Sequence, residues 1–122
     1  MAANKVTLGS YFGNIIVSDT SVNATAQSNV TGAASTVYSL EIDNTANTGT
    51  TVYFKMYDST SATVGTTTPN FVIPVQGGKK LVYTTNDGFT FANGISYGCV
   101  TGAGKTDTTA PSQAVTLLMI AS

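Results

Sequence analysis

The string Gly102-Ala103-Gly104-Lys105-Thr106 is the stretch whose residue types most invite a chemical reading, because glycine-rich turns ending in Lys-Thr cradle phosphate groups. The full phosphate-loop pattern needs a glycine five positions before Gly104, where this chain has Cys99. It also needs a helix directly afterwards, where the chain reads Asp107-Thr108-Thr109-Ala110-Pro111. Both requirements fail, so a loop between strands is the expectation. Carboxylates offer a second chemistry. Asp43-Asn44 and Asp58-Ser59 end two well-patterned segments, and neighbouring strand ends could bring them together around a cation. No Asp-x-Asp-x-Asp-Gly spacing accompanies them, and single carboxylates at strand ends ordinarily bond local backbone in turns.

Nucleophilic catalysis requires a base beside a serine, threonine or cysteine, and the chain contains no histidine. No motif singles out a lysine or carboxylate for that role. Cys99 is the sole cysteine, which excludes an intrachain disulfide and a cysteine-based structural zinc site, and it reads as a small buried hydrophobe. Catalytic, cofactor-binding and metal-ligating residues are therefore expected to be none, and the protein is not expected to be an enzyme. With five basic residues, all lysine, and no cluster beyond Lys79-Lys80, the chain lacks the arginine forks that read phosphate and guanine. Direct nucleic-acid binding is not expected. The tyrosines and phenylalanines could form a sugar-binding platform, but Phe54, Phe71, Phe89 and Phe91 read first as core packing.

The elements that carry these residues are strands. Residues 36–58 hold two alternating runs, with Tyr38, Leu40 and Ile42 on one side and Val52, Phe54 and Met56 on one side of the next. They are expected to be neighbouring strands of one sheet. Ile15-Ile16-Val17 forms a β-branched run, whereas residues 19–35 are small and polar, resembling a weakly patterned strand or an extension ordered by a neighbour. Val6 and Leu8, followed by Tyr11-Phe12, mark an edge strand or arm. Phe71, Ile73 and Val75 alternate around Pro74, which places that segment at a sheet edge or bulge. Lys80 to Thr85 forms the next strand, Asn86-Asp87-Gly88 a turn, and Ile95, Tyr97 and Cys99 another alternating run. Residues 114–121 are apolar on both faces, as expected of a strand that lies centrally or under a partner.

Many short strands separated by Gly, Pro and Asn turns, with no helical period, predict an all-β protein. The architecture is a β-sandwich or small barrel, most specifically an antiparallel Greek-key or immunoglobulin-like β-sandwich of about seven or eight strands. At 122 residues the chain is a single domain, divided into residues 1–35, an N-terminal strand plus a polar extension or arm, and residues 36–122, the sandwich body. Intersubunit contact is expected within residues 1–35. Charged residues are only 9% and the net charge is −1, so copies repel one another weakly and self-assembly is permitted. The start of the chain lacks a signal-peptide pattern, and no apolar run approaches the about 20 residues that span a bilayer. A soluble protein made in a cytoplasm, with no membrane association, is expected. The sequons at Asn23 and Asn29 then read as chance in a Thr/Asn-rich chain.

Residues 36–102 carry a set of elements that can be compared with known families. These are a strand ending in Asp43-Asn44, a Tyr53-x-Lys55-x-Tyr57-Asp58 strand, a segment bounded by Pro69 and Pro74, and the turn from Gly88 through Phe89, Phe91 and Gly94 to Ile95. Together they resemble small β-sandwich virion proteins of tailed bacteriophages and related prophage regions, over about half the chain. The resemblance implies a structural protein of the virion, such as a capsid decoration (cement) protein that contacts the major capsid protein or other virion subunits. A tail, neck or fibre component is the alternative from the same particle, and a carbohydrate-binding module is the alternative from another class. A homo-oligomer is expected, a trimer being one arrangement that fits. No cofactor is implied, and no catalytic residue carries over.

Overall fold

The computed structural model describes residues 3–8 and 13–122. Tyr11 and Phe12, read above as part of an edge strand or arm, lie outside the described residues. Eight strands are present among them and no helix: β1 (Asn4–Thr7), β2 (Ile15–Val22), β3 (Ser35–Asp43), β4 (Val52–Asp58), β5 (Phe71–Val75), β6 (Lys80–Phe91), β7 (Ile95–Val100) and β8 (Val115–Ala121). They form a five-stranded sheet, β1-β2-β8-β3-β6, and a three-stranded sheet, β5-β4-β7, with every pairing antiparallel. The all-β sandwich read from the turn spacing is therefore the observed fold.

Alternation decides which side chains meet between the sheets. From the large sheet come Val17, Leu40, Ile42, Leu117 and Met119, and from the small sheet Val52, Phe54, Met56, Tyr97 and Cys99, all buried in one core. Fully burying each large apolar side chain contributes about 1.5–3 kcal/mol, which makes these inward rows the main source of stability. A polar link crosses the core. The Tyr97 hydroxyl donates to the Asp19 carboxylate at 2.8 Å, and that carboxylate also accepts the Ser21 amide at 2.9 Å. Alternation from Val17 turns Asp19 inward, where its acceptors are used, and the register shift that follows it brings Val22 rather than Ser21 into the core.

β3 and β4 are not neighbours in one sheet, contrary to the expectation from residues 36–58. They lie in opposite sheets, and the connection between them is a crossover rather than a hairpin. Asn44 explains why the chain leaves the large sheet here. Its side chain is fully buried and its amide donates to Thr50 O and Val75 O, both at 3.0 Å, while its Oδ1 accepts from Asn47 Nδ2 at 2.9 Å. Its backbone bonds Lys79 O and the Gly78 amide, so the β3–β4 and β5–β6 crossovers are tied together. Asn47 extends the tie to the segment before β8, donating to Gln113 O and accepting the Gln113 amide.

Two further expectations change. Tyr38 does not share the face of Leu40 and Ile42, because a bulge at this position shifts β3 by one residue, and Val37 takes the inward place instead. Residues 86–88 do not reverse the chain; they form the long side of that bulge within a continuous β6. Gly88 has φ +75°, and a Cβ there would run into the Thr36 and Tyr38 side chains, which accounts for glycine at this position. Residues 19–35 fit the first of their two readings, a weakly patterned strand, at their start, where they finish β2. β2 continues to Val22 in the interior of the large sheet, and the following residues run along β7 through Cys99 N to Asn23 O, a Gln27–Tyr97 bridge and Val30 N to Ile95 O. That β7 edge offers unpaired backbone groups, and the polar segment satisfies them within the same molecule. β1 pairs with β2 as an edge strand, Pro74 lies on the edge strand β5, and β8 is central in its sheet.

Replacing Asn44 with alanine strands Thr50 O and Val75 O, both previously bonded to its amide. Asn44→Ala is expected to lower the unfolding free energy by about 2–4 kcal/mol, from one to two buried groups losing their partners. Urea denaturation against wild type measures this, and a Thr48→Ala control, at an exposed position of the same crossover, is expected within about 0.5 kcal/mol.

Candidate functional site

Two surfaces and one covered face are distinguished by their chemistry. Where the edge strands β5 and β6 flank the open side of the sandwich, Phe71, Ile73, Leu81, Tyr83 and Phe89 line an apolar cleft of about 290 Å³. Each sheet contributes one wall, since Phe71 and Ile73 share the inward face of β5 while Leu81 and Tyr83 lie opposite Ile42 and Leu40. The rings touch in sequence: Phe71 and Phe89 at 5.1 Å between centroids, Phe89 and Phe91 at 5.7 Å, and Tyr83 and Phe89 at 6.0 Å. Phe91 is buried, whereas Phe71 and Tyr83 are 41% and 48% exposed. The expected core roles of Phe54 and Phe91 hold; Phe71 and Phe89 instead form the margin of the core, where it opens. Among the lining residues, the Tyr83 hydroxyl is the one polar side-chain group. The cleft can hold an apolar group, and it offers little with which to orient a sugar.

The outer face of the large sheet is the second surface. Register places Val6, Ile16, Ile120, Ser39 and Thr84 in one outward row and Asn4, Ser18, Leu118, Glu41 and Val82 in the next. Val6, Leu118 and Val82 are 52%, 39% and 62% exposed. The Lys80–Glu41 ion pair, 3.0 Å long, stands at one corner with Asp43. Both members are substantially exposed, so this pair contributes little stability.

The outer face of the small sheet is covered by the chain's own loops. Tyr57, Val64 and Val100 are buried there with Ala24, Ala26 and Ala62 packed against them. Lys55 is fully buried in the same face, and its ammonium donates to Gly104 O at 2.6 Å. The loop of residues 102–106 thus ends in a turn, Asp107 N to Gly104 O, that lids a lysine; no helix follows it to present amides to phosphate. Sequence periodicity placed Lys55 correctly on the side away from Phe54, but the loop that buries it comes from residues almost 50 positions later and left no local signal. Tyr57 also exceeds what alternation alone suggests: its hydroxyl is buried without a partner, and burial raises its pKa.

The remaining sequence candidates are separated by the fold. Asp43 and Asp58 stand at opposite ends of the sandwich, because Asp43 precedes the crossover and Asp58 lies a full strand beyond it. Each instead holds a turn. Asp43 accepts the Thr45 hydroxyl and amide, which lowers its pKa. Asp58 accepts the Asn93, Ala92 and Gly94 amides, the first the strongest influence, and its pKa is likewise lowered. No group of three or more His, Cys, Asp or Glu side chains gathers among the described residues. Cys99 is buried, and burial pushes its thiol up to about 12 despite the opposing charge of Lys55. Burial and the Asp19 hydrogen bond push the Tyr97 phenol upward as well. At the two sequons, Asn23 Oδ1 accepts the Thr25 amide at 2.8 Å and Asn29 Oδ1 is buried.

Lys55 distinguishes a structural lysine from a reactive one. Lys55→Met, which keeps the length and removes the buried charge, is expected to leave unfolding free energy within about 1 kcal/mol of wild type or to raise it. Lys55→Ala is expected to cost about 2–4 kcal/mol through the cavity it leaves, as read by urea denaturation. For Asp58 the folded pKa lies below its ordinary 3.8, so its stabilisation is present above that value and is lost as pH falls through the folded pKa. Asp58→Ala is expected to melt below wild type at neutral pH, with the gap closing in strong acid; thermal melts across that range check it.

Comparison of the chain with protein-family models, with curated proteins and with solved structures finds no match in any of the three.

Proposed function

We propose that this chain is a non-enzymatic structural protein of a tailed-bacteriophage virion, specifically a capsid decoration (cement) protein acting as a homo-oligomer. The observation that carries this reading is where its polar and apolar groups are spent. Asp19, Asp43, Asp58 and Lys55 are each engaged in holding a strand, turn or loop. Apolar side chains, in contrast, are turned outward on the large sheet and in the β5–β6 cleft. A surface of this kind, with a net charge of −1, is suited to packing against other protein and poorly suited to electrostatic recruitment of nucleic acid. The resemblance of residues 36–102 to phage virion sandwiches supplies the biological setting. In that setting the protein would bury apolar surface against the major capsid protein across capsomer boundaries and hold the shell against internal pressure. It is made in the host cytoplasm and ends in the virion.

Density mapping of an intact particle tests the proposal. Copies on the outside of the head, at local three-fold or quasi-three-fold positions, are the expected result; copies confined to the tail, neck or fibres overturn the decoration reading in favour of that second virion role. A glycan array is expected to show no binding, in keeping with a cleft almost without polar groups.

A further inference from the structure

We infer that Asn93 is a site of spontaneous deamidation, and that the Asp58 carboxylate slows the reaction by restraining the groups that take part in it. Asn93-Gly94 is the one Asn-Gly pair in the sequence. It lies in the connection between β6, which ends at Phe91, and β7, which begins at Ile95. Asn93 is exposed there, while Gly94 is buried. A Cβ on residue 94 would press on Asn29 Oδ1 at 2.8 Å and on Ser59 O at 3.3 Å. Packing therefore keeps at this position a residue whose peptide nitrogen no side chain shields.

In the reaction the Gly94 peptide nitrogen gives up its proton and attacks Asn93 Cγ. A bond from that nitrogen to Cγ forms, the Cγ–Nδ2 bond breaks, and the side-chain nitrogen leaves as ammonia, carrying a proton in place of the one Gly94 lost. Water then opens the cyclic imide at one of its two carbonyls, giving aspartate or isoaspartate with no change of oxidation state. The attack requires the Asn93 side chain to swing over the Gly94 nitrogen, and Asp58 opposes that movement. Its carboxylate accepts the Asn93 amide at 2.8 Å, the Ala92 amide at 3.1 Å and, more weakly, the Gly94 amide at 3.4 Å. The Asn93 side-chain amide donates to the same carboxylate. Gly94 is also held through its carbonyl, which accepts the Ser59 amide at 3.0 Å. Bonds to an ionised acceptor are the stronger kind, and a negative charge beside the Gly94 nitrogen disfavours loss of its proton. Nucleophile and electrophile are thus both tied to a third group, and the turn must open before they meet. An aspartate product sets a second carboxylate beside Asp58 where an amide donor stood.

This inference is independent of the proposed role in a virion. Incubation of the purified chain at mildly alkaline pH, followed by proteolytic peptide mapping and isoaspartate detection, reads the rate at Asn93. The same chain unfolded in urea gives the rate without the turn. Folded wild type is expected to react roughly tenfold more slowly than unfolded chain, and folded Asp58→Ala at least about fivefold faster than folded wild type. Asp43→Ala, which loses a turn carboxylate at the opposite end of the sandwich, is expected to leave the Asn93 rate within about twofold of wild type. If Asp58→Ala fails to fold by circular dichroism, Asp58→Asn, of the same shape without the charge, takes its place with an expected rise of about threefold or more. Folded wild type that reacts as fast as unfolded chain, or a folded Asp58 variant that reacts no faster than wild type, overturns the inference. An Asp43→Ala chain that accelerates Asn93 as much as the Asp58 variant does also overturns it, assigning the rate to general loosening of the fold.

Discussion

Asn44 is the point at which the two sheets are held in register with each other. A sandwich must return the chain from one layer to the other, and each return buries backbone groups that no strand ladder can satisfy. Here one fully buried side-chain amide serves the carbonyls of Thr50 and Val75, and its oxygen is met by Asn47. Asn47 in turn holds residue 113, at the entry to β8. The same end of the molecule thus joins three connections through two asparagines. Gly77 belongs to this arrangement, since a Cβ there would press on the backbone of Asn47, Gly49 and Thr50. The network adds satisfied polar groups at the end of a core that the inward rows of β3 and β4 already fill.

Once the layers are fixed, the two outer faces receive opposite treatment. The three-stranded sheet has its outside packed by loops, which explains how Lys55 and Tyr57 come to be buried on the side of β4 that alternation assigns to solvent. Among the described residues, the outside of the five-stranded sheet carries hydroxyls and aliphatic side chains, with Gly13 packed at Ile120. Hydroxyls make up much of the polar surface of a chain with few charges, and at Val6, Leu118 and Val82 apolar side chains interrupt them and meet solvent. The cleft lies between β5 and β6, edge strands of opposite sheets, and aromatic rings stand at the rim of the core there. The proposed function accordingly rests on surfaces and not on a cluster of reactive groups.

The strands were legible in the sequence because a strand's side-chain alternation is local. Val52, Phe54 and Met56 declare their common face within five residues, and the apolar character of residues 114–121 on both sides correctly marks a central strand. The dismissal of a phosphate loop at residues 102–106 rested on neighbouring residues as well, and the observed turn agrees with it. Bulges broke the reading where one chain inserts extra residues opposite another. Nothing near Tyr38 announces that residues 85–88 lie across from it, so the face assigned to Tyr38 and the turn assigned to Asn86-Asp87-Gly88 both failed.

The sequence by itself determined an all-β chain of alternating strands, an edge or bulge at Pro74, the buried place of Cys99 and a surface poor in charge. Each follows from residue type or from a period of two, which the backbone imposes on any strand wherever it pairs. Only the tertiary structure decided that β3 and β4 belong to different sheets, that residues 23–30 close the β7 edge instead of reaching outward, that Gly104 covers Lys55, and that loops pack the outer face of the small sheet. Those outcomes depend on partners distant in sequence, chosen by where buried amides and carbonyls can all be satisfied at once, and no local pattern encodes that choice.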